Sequence, residues 1–517
     1  MKAKHSISKY LIIALFIFYI AISLFTLTRF PFVHSDESWL SGLSRNMLES
    51  RDYSVTEAFF DIKDRYPHAI KILFHTMQII FMQLMGYSIF TFRLLSFLFG
   101  LLCIFFMYKL CKLIFHSTSG AWLAAVLLAI DVQFIYASHF ARQEIIILFI
   151  LLLGLWYKLK HYGDHAIMHD ILLGCIIGLS IGIHPNSFII SLPFGLIYLY
   201  EIFSKKRRFH SLVVLVGVVA GFAAFFVAIS FYFDPHFISN YVKYGNEFEV
   251  FNPITSKLGE IKLFYQKLYY RVSGTYYTPN IKLQFFLFPA TLIASIIKLI
   301  FNREPIEKQT RLISIILTLA AINVGIVLIG RFNQTSIVLV FPLFYILMIY
   351  VLESISPFYK TAVTALLIIC ISSFTLINYW EFRGNSYDKY IDQLAMAVQP
   401  GDQTLGNLNM EYYFQNGKLH DYRNLAYLEQ KEMSFEDYIR KNNIEFILYS
   451  EELDLIYQLQ PKWDGIYGSM DYYEEMKSFI SKNCQLVHQY TDPFYGIRIV
   501  RYIGMKDWQI KVYKVTK

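Results

Sequence analysis

From Tyr10 to Tyr379 the chain keeps returning to one pattern, an apolar stretch followed by a short polar break. Runs of about 18 to 22 apolar residues suffice to cross a hydrocarbon core of roughly 30 Å as helix. The predicted spans are Tyr10 to Leu27, Arg93 to Phe115, Ala121 to Ala137, Ile145 to Lys158, Ile171 to Ile183, Phe188 to Phe203, Leu212 to Phe233, Leu283 to Phe301, Leu312 to Ile329, Ile337 to Leu352 and Ala362 to Tyr379. The expected fold class is a polytopic α-helical membrane protein of about 11–13 transmembrane helices. His68 to Met85 also has helical spacing, but His75, Gln78 and Gln83 interrupt its apolar face, so it reads as an interfacial or partly buried helix.

Past Arg383 the pattern changes. Glu436 to Lys441 has helical character and leads into Glu445-Phe-Ile-Leu-Tyr-Ser; Gln485-Leu-Val-His-Gln-Tyr precedes a Pro-Phe-Tyr-Gly turn and Ile497-Arg-Ile-Val. These signals predict a small soluble α/β domain over 383–517, after a membrane domain over 1–382 with outer loops at 30–92 and 234–282.

Composition agrees with lipid as the solvent: of 517 residues 56% are hydrophobic and only 17% charged, outside the range of ordinary soluble domains. The net charge of +8 does not point to nucleic acid, because the basic residues sit in short loops rather than along one face. Lys109 and Lys112, Lys158 and Lys160, Lys205 to Arg208, Arg303, Lys308 and Arg311, and Lys360 all fall on one side of the span map. By the positive-inside rule that side is cytoplasmic. The N-terminus, with Lys2, Lys4 and Lys9, belongs there as a retained anchor in the cell (plasma or inner) membrane. The two long loops and the C-terminal domain lie outside. The five cysteines show no metal spacing and no disulfide pattern.

Three polar clusters share the outer side. Asp36 and Glu37 follow the first span in Phe32-Val-His-Ser-Asp-Glu-Ser-Trp, where lost solvation is expected to raise a carboxylate's proton affinity and suit it to base catalysis. His139, Arg142 and Glu144 stand between the third and fourth spans. An Arg at a helix start is suited to phosphate, since its guanidinium and free backbone N–H groups converge there. His184 and Asn186 flank the Pro185 break at the end of the fifth span. In the loop 234–282, Arg271, Tyr276 and Tyr277 are expected to line a groove for lipid phosphate or sugar.

The Asp36-Glu37 pair just after the first span, Phe92-Arg-Leu-Leu-Ser-Phe-Leu-Phe-Gly, Ala141-Arg-Gln-Glu and His184-Pro-Asn together resemble the GT-C membrane glycosyltransferases, in the branch of the protein O-mannosyltransferases and the lipid A aminoarabinose transferase. The resemblance covers residues 9 to 380. It implies transfer of a sugar, with inversion, from a polyprenyl-phosphate donor to a glycolipid, polysaccharide or protein acceptor on the extracytoplasmic face. Asp36 would be the base, and Arg142 with His139 would hold the departing lipid phosphate. Membrane lipids are the surroundings, and nucleic acid is not a partner. Some GT-C enzymes use a divalent metal; Asp36, Glu37 and Glu144 assign none here. Where relatives carry His-Pro-Pro, this chain reads Asp64-Arg-Tyr-Pro-His-Ala, which takes His68 out of the pattern. The competing reading is a lipid or sugar transporter or polymer-export protein that binds lipid phosphate without chemistry.

Overall fold

The structure is a computed structural model, described for residues 16–247, 250–272, 274–302, 304–330 and 333–516. The start of the first expected span, with Lys2, Lys4 and Lys9, and the positions Arg303 and Arg331 lie outside the described residues. Each predicted span that is described corresponds to a helix, in order: α1 (Phe16–Thr26), α4 (Ile89–Phe115), α5 (Thr118–Ala129) with α6 (Val132–Ser138), α7 (Glu144–Lys160), α8 (Ile167–Leu179), α9 (Phe188–Phe203), α10 (Phe209–Phe233), α13 (Lys282–Phe301), α14 (Ile306–Ile329), α15 (Phe341–Leu352) and α16 (Pro357–Glu381). Seven of these helices, counted with the short turns leading into α9 and α15, are long and apolar enough to cross a membrane, or eight if the bent pair α5–α6 is one span.

Of the four runs that fall short, the first is described only over Phe16–Thr26, and the other three have a local cause. The run Ala121 to Ala137 is broken at Asp131, where the two helices meet at 69°. The Asp131 carboxylate accepts from the backbone of Gln133 and Phe134 and so caps α6, and it takes further bonds from Gln284 (2.7 Å) and Tyr345 (2.6 Å). Those bonds make a carboxylate tolerable among apolar helices. The fifth run ends in a tight turn, Ser180–Gly182, before Pro185, and α7 begins only at Glu144, after the irregular stretch that carries Arg142.

Small residues let the helices approach. Gly174, Gly178 and Gly182 recur every fourth position, on the face that meets Val218, Phe222 and Phe226 of α10. A Cβ at Gly178 would come 2.5 Å from the Phe222 ring, so this small-xxx-small stripe sets the spacing of α8 and α10. The helix α15 with its entry turn is 89% buried, whereas α10 and α16 are 11% and 17% buried. The first is therefore the core of the bundle and the other two present their apolar sides outward.

The basic helix ends gather at one end of the bundle. Lys158 bonds Glu201 (2.6 Å), which also takes Arg207; Arg207 reaches Asp170; Lys206 bonds Thr310; Lys308 pairs with Glu353. The loops at 27–37, 139–144 and 274–280 lie at the opposite end. There the first long loop folds into α2 (Ser35–Ser50) and α3 (Ile72–Met85), and the second into α11 (Phe237–Glu247) and α12 (Ile254–Tyr270). On this end sits a mixed five-stranded sheet in the order β2-β1-β3-β5-β4, with β1 (Thr404–Gly406), β2 (Leu419–Asp421), β3 (Phe446–Ser450), β4 (Cys484–Asp492) and β5 (Trp508–Val515). β1 runs parallel to β2 and β3, while β5 is antiparallel to β3 and β4.

The stretch Ile497-Arg-Ile-Val, expected as a strand, is not one. Its backbone is spent elsewhere: Arg498 and Ile499 donate to the buried Glu452 carboxylate (2.8 and 3.0 Å), and Val500 donates to the Gly274 carbonyl (2.9 Å).

Candidate active site

Past the described end of α1 the chain turns over residues 27–31 and enters α2 after His34. His34 caps this helix: its Nδ1 accepts from the Asp36 N–H (3.0 Å) and its backbone N–H donates to Glu37 (3.0 Å). An acceptor Nδ1 requires a neutral ring, and burial lowers the His34 pKa to about 3, Asp36 opposing and Arg498 and Arg142 assisting. The other ring nitrogen meets the Thr275 hydroxyl (3.0 Å), and the ring stacks on Tyr276 at 4.3 Å.

The cap sends the two adjacent carboxylates in different directions. Glu37 is fully buried; Arg93, at the start of α4, grips it through two bonds of 2.8 Å, and Glu37 also accepts from the Ala141 N–H (2.9 Å). Arg93 spends its other N–H groups on the carbonyls of Leu27, Pro31 and Phe32. This assembly ties α1, α2, α4 and the 139–144 loop together. Asp36 instead keeps 25% of its side chain exposed and is met by Arg142 (2.8 Å) and by the Tyr276 hydroxyl.

Arg142 bonds Tyr276 (2.6 Å) and also pairs with Glu144 (3.1 Å), which Thr335 fixes with a 2.6 Å hydrogen bond. Burial alone would push the Asp36 carboxyl up, but Arg142, then His34 and the Tyr276 hydrogen bond, outweigh it and hold the group well below the usual carboxylate range. The expectation of a raised proton affinity is thereby reversed, because that reading weighed desolvation without the partner that the fold supplies.

Asp36, Arg142, Glu144 and Tyr276 are thus one connected cluster. The other expected residues go elsewhere. His139 is fully buried, edge-on to Phe97 at 6.0 Å. His184 caps the turn it belongs to, accepting from the Asn186 N–H (2.9 Å). Arg271 pairs with Glu381 at the end of α16 (2.8 Å), and Tyr277 donates to Asn378 (2.7 Å). These last two brace the loop that presents Tyr276.

Three neighbours were not singled out from the sequence. His34 stood inside the quoted run, and Arg93 opened a predicted span, where a guanidinium among apolar residues signals a buried acid partner. Arg498, which donates to Ser35 (3.0 Å), had no sequence signal, since its place depends on how the C-terminal domain docks.

The carboxylates are engaged by the protein's own cations, Glu37 by Arg93 and Asp36 with Glu144 by Arg142, a donor set that does not suit a divalent ion. Among the described residues the His/Asp trio with ligand atoms within 4.8 Å of one another, His161, Asp164 and His169, is at the basic end of the bundle.

Residues 69–231 match the family model of the dolichyl-phosphate-mannose-protein mannosyltransferases. No curated protein matches by sequence. In fold the chain is similar to ArnT from Cupriavidus metallidurans in the apo state, at TM-score 0.60 and 13% identity over 99% of this chain and 98% of that one. The same protein bound to undecaprenyl phosphate matches at TM-score 0.53 and 13% identity, over 97% and 98%. The archaeal oligosaccharyltransferase AglB from Archaeoglobus fulgidus, in complex with an inhibitory peptide and a dolichol-phosphate, matches at 0.50 and 14% over 94% of this chain and 74% of its own. The chain thus shares the fold of ArnT along nearly its whole length, and its residues 69–231 match the dolichyl-phosphate-mannose-protein mannosyltransferase family model.

Proposed function

We propose that the protein transfers a sugar from a polyprenyl-phosphate donor to an acceptor hydroxyl of a glycolipid, polysaccharide or protein, with inversion, on the extracytoplasmic face. The observation that carries this reading is the shared grip of Arg142 and Tyr276 on the partly exposed Asp36. A guanidinium at the start of a helix can exchange one anion for another. A donor phosphate arriving at Arg142 competes with Asp36 for it. As the pair loosens, the carboxylate loses the charge that depressed its pKa, and its proton affinity rises when the donor is in place.

Asp36 then takes the proton of the acceptor hydroxyl, the hydroxyl oxygen forms its bond to the anomeric carbon, and the C–O bond to the phosphate breaks. Arg142 stabilises the charge that collects on the departing lipid phosphate. His34 and Glu37 act by position: one caps the helix that aims Asp36, the other anchors that helix to α4. The lipid phosphates bound by ArnT and by AglB support a donor of this kind. Placing the site outside the cytoplasm rests on the basic cluster at the other end of the bundle.

The test is transfer of radiolabelled sugar from polyprenyl-phosphate donors to a membrane extract, comparing wild type with Asp36→Asn. General-base removal is worth about 10²- to 10⁴-fold, so the variant should transfer at or below that fraction while still binding donor. Donor binding by both proteins with no transfer by either, across a broad acceptor panel, would favour the transporter.

A further inference from the structure

A cleft of about 510 Å³ opens where the first outer loop meets the C-terminal domain, lined among others by Phe60, Asp61, Lys63, Arg65, Lys431 and Lys441. Behind it Trp39, one helical turn beyond Asp36 on α2, is surrounded by cations: Arg423 lies 4.7 Å, Arg65 4.9 Å and Lys63 5.4 Å from its ring. Most charges here are matched. Glu57 holds Arg65 through bonds of 2.8 and 2.9 Å, Asp421 holds Arg423 at 2.6 Å, and Asp64 holds Lys431 at 3.0 Å. Asp61 accepts from Tyr438 (2.7 Å) and Asn442 (2.8 Å).

Among the three cations around Trp39, Lys63 is the exception. Among the described residues its ammonium makes no hydrogen bond or ion pair and lies only over the Trp39 and Phe60 rings. Burial, then Arg423 and Arg65, lowers its pKa to about 8. A half-buried cation crowded by two others and open to a cleft is stabilised by an incoming anion. Arg423 also belongs to the field at Asp36 and His34, so the cleft and the catalytic carboxylate share one electrostatic surround.

We propose that this cleft is a subsite for an anionic substituent of the acceptor, a phosphate or carboxylate held by Lys63 while the hydroxyl to be glycosylated reaches Asp36. The inference rests on the transferase reading for the word acceptor; the anion site itself does not. The lipid phosphate of the donor belongs at Arg142, whereas this cleft is walled by the first long loop and the C-terminal domain.

Lys63 reports on its own occupancy. The purified full-length protein, in detergent and amine-free buffer at pH 8, is treated with an acylating reagent, and mass spectrometry reads modification at Lys63. Inorganic pyrophosphate and citrate serve as the phosphate and carboxylate probes. Saturable protection of Lys63, with exposed lysines away from the cleft such as Lys462 and Lys482 unaffected, is the expected result. Protection by pyrophosphate alone assigns a phosphate, and protection by citrate as well admits a carboxylate. Calorimetry should show the protecting anion binding Lys63→Gln about 10- to 100-fold more weakly, the worth of one charge-assisted hydrogen bond. No protection by either anion overturns the site, whether or not the protein transfers sugar. In transfer assays Lys63→Gln should raise the acceptor KM about tenfold with donor KM and kcat held. An unchanged acceptor KM refutes the assignment to acceptor, and absence of transfer by wild type overturns the transferase reading while the protection result stands.

Discussion

At the scale of single residues, Asp36 and Glu37 show how one position's difference separates a partly open carboxylate from an anchoring one. An acid buried in a satisfied pair is destabilising to break, because the partner charge is stranded; the penalty is about 3–5 kcal/mol. Glu37→Gln, which removes the charge facing the fully buried Arg93, should therefore lower stability by an amount of that order, read as a large loss in thermal unfolding temperature in detergent. Asp36→Asn should cost clearly less, since its site is partly open to water and Arg142 keeps Glu144 as a partner. Equal stability losses in the two variants would dissolve the division of labour.

His34 gives a pH signature at the same scale. Its pKa falls on folding from the ordinary 6.5 to about 3, so between those values the unfolded chain binds more protons and stability rises with pH. The stabilisation is complete above about 6.5 and is lost progressively as pH falls toward 3, amounting to about 2 kcal/mol at pH 5. His68, in the first long loop and also lowered to about 3 by burial, adds in the same direction. Unfolding temperatures measured from pH 7.5 to 5 should fall, and less steeply for His34→Gln. A slope that His34→Gln leaves unaltered would show that the ring's pKa does not change on folding.

Among the helices, the interface of α8 and α10 is the sharpest test. Gly178 faces the Phe222 ring with no room for a methyl group, and overpacking in a filled interface costs about 1–3 kcal/mol. Gly178→Ala should lower the unfolding temperature, and Phe222→Leu in the same chain should recover part of the loss; full additivity would mean the two positions are not in contact. The helical runs were legible because lipid demands them: each span must satisfy its own backbone and present apolar side chains. Their breaks were not. Asp131 sits inside an otherwise apolar run, and only the approach of Gln284 and Tyr345 from distant helices makes a kink with a capped carboxylate preferable to a straight span.

For the whole molecule, the C-terminal domain is part of the site's framework rather than an appendage. Tyr495 accepts from the Val33 N–H (3.1 Å), Arg498 reaches Ser35, Val500 donates to Gly274, and Arg45 of α2 pairs with Glu411 and donates to the Phe414 carbonyl (2.6 Å). The segments bearing Asp36 and Tyr276 are thus both braced by residues 493–500. Arg498→Ala should lower transfer by about tenfold or more through misplacement of Ser35 and Asp36, as positioning losses do. Its mark would be a fall in kcat with donor affinity kept, checked by equilibrium donor binding; loss of donor affinity alone would assign Arg498 to the donor instead.

What the sequence determined by itself follows from solvent and local geometry: helices that cross lipid, basic loops on one side, a polar α/β tail, and a carboxylate pair just after the first span. Those features arise from residues within one or two helical turns of each other, where periodicity and charge speak directly. Only the tertiary structure decided which carboxylate stays open, that Arg142 and Tyr276 converge on Asp36, that His139 is core and His184 a cap, and that Arg498 belongs beside the site. The convergence on Asp36 and the place of Arg498 depend on contacts between positions more than a hundred residues apart. The sign of the Asp36 shift is decided there too, because desolvation follows from burial in general, while the guanidinium that outweighs it is delivered by another loop.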